Sequence, residues 1–132
     1  MAEAIARTML RDRKKDGQVS SAGTCALPNA GATEQAIAVM AEMGINLREH
    51  KATLLTPELA READLVLTMT GAHKEQVKRL IPEAKEKVFT LAEFAGAGTD
   101  ISDPIGGSAD VYRQCAAELR YLIGLALDKI KD

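Results

Sequence analysis

Segments in which apolar residues recur every three or four positions alternate along this chain with short apolar runs. The recurring spacing is typical of amphipathic helices, and the short runs are typical of buried strands. Strands are predicted at residues 18–21, 64–69 and 88–90. Helices are predicted at residues 2 to about 15, 33–43, 71–80 and 108 to about 131, with a short helix opened by Thr56-Pro57-Glu58. The alternation predicts an α/β fold, in which helices cover the faces of a parallel sheet.

The long last helix carries one continuous apolar face. That face comprises Tyr112, Cys115, Leu119, Leu122, Ile123, Ala126 and Ile130. Residues at this spacing on a helix pack into a hydrophobic core. We therefore expect Cys115 to be a packed and inert thiol.

Composition and charge exclude several classes of function. The chain has 132 residues, which is the size of a single domain spanning residues 1–132, and its formal net charge is −2. Lys and Arg are scattered among acidic residues, so nucleic acid is not expected as a partner. No apolar stretch approaches membrane-spanning length, so we expect no membrane association and a cytoplasmic protein.

The cysteines and histidines give no sign of a metal site or a cofactor. Cys25 and Cys115 lie far apart without a Cys-x-x-Cys pair, so neither a disulfide framework nor a metal site is predicted. His50 lies in a segment predicted to be extended, and His73 lies in the first turn of a predicted surface helix. Structural or solvated roles are favoured for both histidines.

The strongest candidate for chemistry is the segment Asp100-Ile101-Ser102-Asp103-Pro104-Ile105-Gly106-Gly107-Ser108, just before the last helix. Asp-Pro and Gly-Gly are common in turns, and on this interpretation Asp103 only accepts backbone hydrogen bonds. On the other interpretation, Asp103 is a general acid that transfers a proton. The segment alone favours the turn, and the choice depends on the rest of the chain.

Five short sequences resemble, in order, the low-molecular-weight protein tyrosine phosphatase family. They are Met1-Ala2-Glu3-Ala4, Ser20-Ser21-Ala22-Gly23-Thr24, His50-Lys51-Ala52, Asp64-Leu65-Val66-Leu67-Thr68-Met69 and Asp103-Pro104. The resemblance covers essentially the whole chain. Asp-Pro-x-Gly-Gly-Ser is most similar to the bacterial arginine phosphatases of this family.

The resemblance implies a three-layer, doubly wound parallel sheet and a phosphatase that forms a cysteinyl-phosphate intermediate without a cofactor. Asp103 is the implied general acid and base, Ile105 borders the substrate pocket, and Ser21 and Pro104 support the loops. The implied partner is a phosphorylated protein, with phosphoarginine or phosphotyrosine as the substrate. We expect phosphoarginine to be preferred, because tyrosine-specific relatives place aromatic residues where Ile105 stands.

The chain departs from the family at the nucleophile, because no Cys-x5-Arg occurs in it. Cys25 is followed by Ala-Leu-Pro-Asn-Ala-Gly, and Cys115 lies in mid-helix with Arg120 five residues on. The first predicted helix also begins without an N-cap residue. We therefore expect this chain to lack the family's first strand and phosphate loop, about fourteen residues. The chain alone is then expected to be inactive and poorly stable.

One alternative function is a phosphatase-like binding module without turnover. Arsenate reductases that share this fold use a redox cysteine pair after the strand at 64–69. Here Thr70-Gly71-Ala72-His73-Lys74 follows that strand and contains no cysteine, which disfavours the reductases.

Overall fold

The fold was obtained as a computed structural model that describes residues 1–14, 17–23, 31–48, 50 and 53–130. Its helices and strands follow the order α1 (Ala2–Asp12), α2 (Glu34–Glu42), α3 (Pro57–Glu62), β1 (Val66–Thr68), α4 (Gly71–Leu80), β2 (Val88–Thr90), α5 (Leu91–Ala95) and α6 (Ala109–Lys129). A 3₁₀ helix at Pro82–Lys87 connects α4 to β2. No helix among these residues is long and apolar enough to cross a membrane.

Side-chain caps define where most of the helices begin. Hydroxyl oxygens of five residues accept a backbone N–H of the first helical turn, and these residues are Thr33, Thr56, Thr70, Thr90 and Ser108. Such caps satisfy donors that would otherwise lack a partner. The predicted helix at 33–43 is confirmed, since α2 lies between its caps Thr33 and Met43. α1 has no side-chain cap and ends at Asp12, before the predicted limit at Lys15, which lies outside the described residues.

The two strands pair in parallel, with Val66 opposite Val88 and Thr68 opposite Thr90. α4 connects them, so the predicted α/β class is confirmed. The described residues contain a sheet of only these two strands. The three-layer, doubly wound arrangement therefore stays a prediction.

The predicted strand at 18–21 is wrong as a regular strand. Residues 17–22 form no ladder, and Gly23 makes only an isolated parallel bridge to Leu54. Residues 18–21 contain a single apolar residue, Val19, and this segment pairs with no strand of the described structure. Instead it is held against α1, where the Arg7 guanidinium donates to the Val19 carbonyl at 2.8 Å.

The main core lies where α1, α2 and α5 pack on α6. Its most buried large side chains are Ile5, Val39, Met40 and Leu91. The predicted apolar face of α6 is confirmed from Tyr112 to Ala126, whereas Ile130 is exposed. Ile130 follows the end of α6 and adopts extended backbone angles, which turn it away from that face. A smaller cluster of Ala60, Val77, Ile81, Ala84 and Val88 packs beneath α3 and α4.

Candidate active site

The loop that carries Asp103 is attached at its start to the carboxyl end of β1. Ile101 is buried, and its N–H donates to the Met69 carbonyl at 2.8 Å. The Asp100 carboxylate accepts the Gly71 N–H with both oxygens, at 3.1 and 3.2 Å. Because Gly71 begins α4, these contacts fix the loop entry to a strand end and to a helix start at once.

A tight turn then fixes Asp103 itself. Asp103 is exposed, and its Oδ1 accepts the Ile105 N–H at 3.0 Å. The Gly107 N–H donates to the Pro104 carbonyl at 2.8 Å, and this closes the turn before α6. The turn interpretation is therefore correct as geometry. Within the described part of the chain, the other carboxylate oxygen of Asp103, Oδ2, has no hydrogen-bond partner.

Glu3, in the first turn of α1, holds two other segments beside the start of that helix. Its Oε1 accepts the Ser21 N–H at 2.9 Å, and its Oε2 lies 3.4 Å from His50 Nδ1. The Glu3 side chain is only 15% exposed and that of His50 only 25%. The resemblance implies that Ser21 supports a loop, and the sequence predicts no role for Glu3. A structural or solvated role is predicted for His50, and its contact with Glu3 favours the structural one.

Cys115 joins the Asp103 loop to the main core. Its Sγ lies 4.0 Å from the Ser102 carbonyl oxygen, and Met1 and Ala2 pack against the same core cluster. Burial raises the pKa of the Cys115 thiol, and the charges of Glu118 and Asp103 raise it further. The thiol therefore stays protonated at neutral pH and is a poor nucleophile. This confirms the prediction of a packed cysteine.

The remaining predicted site residues have ordinary surroundings. Ile105 is 70% exposed, and Pro104 contributes its carbonyl to the turn. His73 is exposed in the first turn of α4. Cys25 lies outside the described residues. Within the described ranges no group of three His, Cys, Asp or Glu residues could hold a metal ion.

Comparison with protein families and curated proteins identifies relatives along the whole chain. A family model described as low molecular weight phosphotyrosine protein phosphatase matches residues 1–131. The protein-arginine-phosphatase of Bacillus subtilis is 39% identical over 132 residues, which are 99% of this chain and 87% of that protein. The low molecular weight protein-tyrosine-phosphatase PtpB of Staphylococcus haemolyticus is 36% identical, over 94% of this chain and 85% of that protein.

Solved structures show the same fold. The YwlE mutant from Bacillus subtilis superposes with a TM-score of 0.94 at 38% identity, covering 99% of this chain and 88% of that one. The low molecular weight protein tyrosine phosphatase of T. tengcongensis gives 0.94 at 36% identity, over 98% and 88% of the two chains. A YwlE arginine phosphatase with an active-site cysteine replaced by serine, and that serine phosphorylated, gives 0.93 at 38% identity, over 97% and 84%.

Proposed function

Because the chain belongs to the low molecular weight phosphotyrosine protein phosphatase family, we propose that it forms the body of a protein phosphatase in which Asp103 transfers the proton. The geometry of Asp103 carries this proposal. One carboxylate oxygen holds the turn at Ile105, and the other has no partner among the described residues. A carboxyl group fixed in this way and open to solvent can exchange a proton with a bound substrate.

In the proposed reaction a cysteine thiolate attacks phosphorus, and the bond from phosphorus to the leaving nitrogen or oxygen breaks. Protonated Asp103 gives its proton to the leaving atom. Water then attacks the cysteinyl phosphate and the S–P bond breaks, while Asp103 takes a proton from the water, so that the thiolate and inorganic phosphate are released. The phosphorylated active-site serine of the YwlE mutant supports a covalent step.

In this proposal the amino-terminal end of α1 binds the phosphoryl group of the substrate. The first turn of a helix has N–H groups without intrahelical partners and carries a partial positive charge, so it favours a phosphoryl group. No side chain of a described residue caps the start of α1. Ser21 lies beside this turn because its backbone is bound to Glu3, which supports its role in bracing a phosphate-binding loop.

We propose phosphoarginine as the preferred substrate and phosphotyrosine as the alternative. Some relatives are named arginine phosphatases and others tyrosine phosphatases, and both groups match this chain at similar identity. Sequence identity therefore does not decide between the two substrates. Ile105 favours phosphoarginine, because its aliphatic side chain is 70% exposed and is followed by two glycines. Such a loop offers little surface for stacking a phenyl ring, whereas a guanidinium leaving group needs mainly a proton from Asp103.

A polypeptide of these 132 residues alone is proposed to be inactive. It contains no Cys-x5-Arg, and Cys115 is buried, protonated and surrounded by helix backbone whose N–H groups are already bonded. Asp103 alone supplies only general acid catalysis, which contributes about a hundredfold to ten-thousandfold of a far larger acceleration.

The missing motif also supports a second candidate, a binding module without turnover. The nucleotide sequence directly upstream of the Met1 codon distinguishes the two functions. An in-frame Cys-x5-Arg-Ser-Pro supports the enzyme, and an in-frame stop codon supports the binding module.

The enzymatic proposal is tested by a fusion. A segment that contains Cys-x5-Arg-Ser-Pro is placed before Met1, and kcat/KM is measured on phosphoarginine and phosphotyrosine peptides. We expect phosphoarginine to be preferred and Asp103→Asn to lower kcat/KM by about a hundredfold to ten-thousandfold. Asp64→Asn, at another exposed aspartate, should leave the rate unchanged.

Three results would contradict parts of the proposal. An unaffected rate in Asp103→Asn removes Asp103 from proton transfer. A clear preference for phosphotyrosine overturns the argument from Ile105. Turnover of p-nitrophenyl phosphate by the unfused polypeptide, abolished by Cys25→Ala, overturns its inactivity.

A further inference from the structure

A groove on the main core lies outside the Asp103 site. It is a hollow of about 480 Å³ between α1, α2 and α6, and its lining contains no residue of the Asp103 loop and none of Glu3, Ser21 and His50. Hollows of about 300–1,000 Å³ are the usual size of small-molecule sites.

The groove exists because α6 presents small side chains toward α1 and α2. It is lined by Ala116 and Ala117 of α6, by Met9 of α1 and by Met43, the residue that follows α2. Methionine side chains adapt to ligands of different shape, because they are unbranched and polarizable. Tyr121 also lines the groove with 63% of its surface exposed, so its ring is accessible to a ligand. The lining is therefore largely apolar and adaptable.

Two arginines, Arg113 and Arg120, line the groove, and they differ in whether a carboxylate neutralises them. The Arg113 guanidinium donates to both Glu42 oxygens, at 2.8 Å to each from Nε and Nη2, and also to Asp110. Arg120 lies two helical turns further along α6 and lines the same groove. It forms no ion pair or hydrogen bond with any described residue. Arg113 is thus neutralised, while Arg120 remains as an uncompensated cation beside an apolar hollow.

We propose that this groove binds a small amphipathic organic anion. Its aromatic or short acyl body lies on Met9, Met43 and Tyr121, and its carboxylate, sulfonate or phosphate head pairs with Arg120. Charge complementarity selects the anion, since the only carboxylate in the lining, Glu42, is already paired with Arg113. The size of the hollow fits a free small molecule.

The test compares two dyes that differ in charge, on the full 132-residue chain. Anilinonaphthalene sulfonate carries the proposed head group, and phenylnaphthylamine has the same rings without it. Binding is followed by fluorescence titration and by NMR of isotope-labelled methionine methyl groups. We expect the sulfonate to bind more tightly, and to shift the methyl signals of Met9 and Met43 but not that of Met69, which lies outside the groove.

Two pairs of variants separate the charge from the shape of the groove. Arg120→Gln should weaken sulfonate binding by about twofold to fivefold, the size expected for an exposed ion pair, and should leave the neutral dye unchanged. Ala117→Leu fills the hollow and should weaken both dyes by about tenfold. The controls Arg79→Gln and Ala72→Leu, at exposed positions of α4, should change neither.

The proposal is overturned if the two dyes bind equally, if Arg120→Gln leaves sulfonate binding unchanged, or if Ala117→Leu leaves both dyes bound. NMR methyl shifts confined to methionines outside the groove would also overturn it. A dimer in sedimentation that Ala117→Leu dissociates would assign the groove to a second copy of the chain and would also overturn the proposal.

Discussion

The turn that holds Asp103 depends on two successive glycines. Gly106 has a φ of +82°, in the left-handed region that side chains other than glycine rarely adopt. Gly107 has no room for a side chain, because a Cβ there would lie 2.9 Å from the Pro104 carbonyl oxygen and 3.0 Å from Val111 Cβ. The two glycines therefore serve different purposes, one for the backbone angle and the other for space.

Gly107→Ala should lower the free energy of unfolding by about 1–3 kcal/mol, since either the turn or the start of α6 must move to admit the methyl group. Urea denaturation measures the loss. Gly71→Ala is the matched control, because the nearest atom to a Cβ there is an Asp100 oxygen at 3.9 Å. A loss at Gly107 no larger than at Gly71 would show that the turn tolerates a side chain.

The turn hydrogen bonds around Asp103 could be predicted from the sequence, and the contacts of Glu3 could not. Asp-Pro-x-Gly-Gly is a local signal, and the hydrogen bonds it predicts lie within five residues of Asp103. Glu3 instead contacts Ser21 and His50, which are distant in sequence. Such a pairing depends on the packing of three segments, which a single sequence does not show.

At the scale of elements, the junction from β2 to α5 shows how a cap and a charge combine. Thr90 and Glu93 form a capping box, in which Thr90 Oγ1 accepts the Glu93 N–H and Glu93 Oε1 accepts the Thr90 N–H. Glu93 Oε1 also lies 2.6 Å from Lys74 Nζ of α4. The hydrogen bond from Lys74 lowers the pKa of Glu93, and the bond from Thr90 lowers it further.

Glu93→Gln should remove a contribution to stability that depends on pH. A carboxyl group whose pKa is lowered by folding stabilises the protein above its unfolded value, about 4.5, and loses this effect as the pH falls through the folded value. Glutamine can still form the capping box, so only the charge is removed. The difference in unfolding free energy between wild type and variant should be largest near neutral pH and should shrink below about pH 4.5. A difference independent of pH, or an equal one in Glu75→Gln on the exposed face of α4, would contradict this expectation.

The sequence predicted the longer helices better than the strands and missed the short α5, and the first difference has a physical reason. A helix bonds within itself, so caps such as Thr33 and Thr70 and the spacing of apolar residues define it locally. A strand needs a neighbour. The runs at β1 and β2 have each other, and both were predicted, whereas residues 18–21 have no ladder partner in the described structure and stay irregular.

Across the whole molecule, most of the buried apolar surface lies among the helices, and little of it lies at the sheet. The main cluster joins α1, α2, α5 and α6 and includes Met40, which is fully buried, and Ile5, which is 1% exposed. The groove beside Arg120 is built on this part. The sheet is much weaker, because two strands of three residues each bury little surface and an isolated pair of strands is marginal in water. β1 also has one edge without a strand partner among the described residues.

Amide hydrogen exchange should therefore divide the 132-residue polypeptide into two parts. Amides of α6 that face the main cluster, such as those of Leu119 and Ile123, should exchange slowly, because their opening exposes the largest core. Amides of residues 65–69 should exchange faster, and thermal unfolding should be broad. Placing the Cys-x5-Arg-Ser-Pro segment of the fusion before Met1 should slow exchange at residues 65–69 and leave that of α6 almost unchanged, because the added chain is expected to pair with the open edge of β1. A sharp cooperative transition together with slow exchange across residues 65–69 in the unfused polypeptide would show instead that the two-stranded sheet is as stable as the helical core.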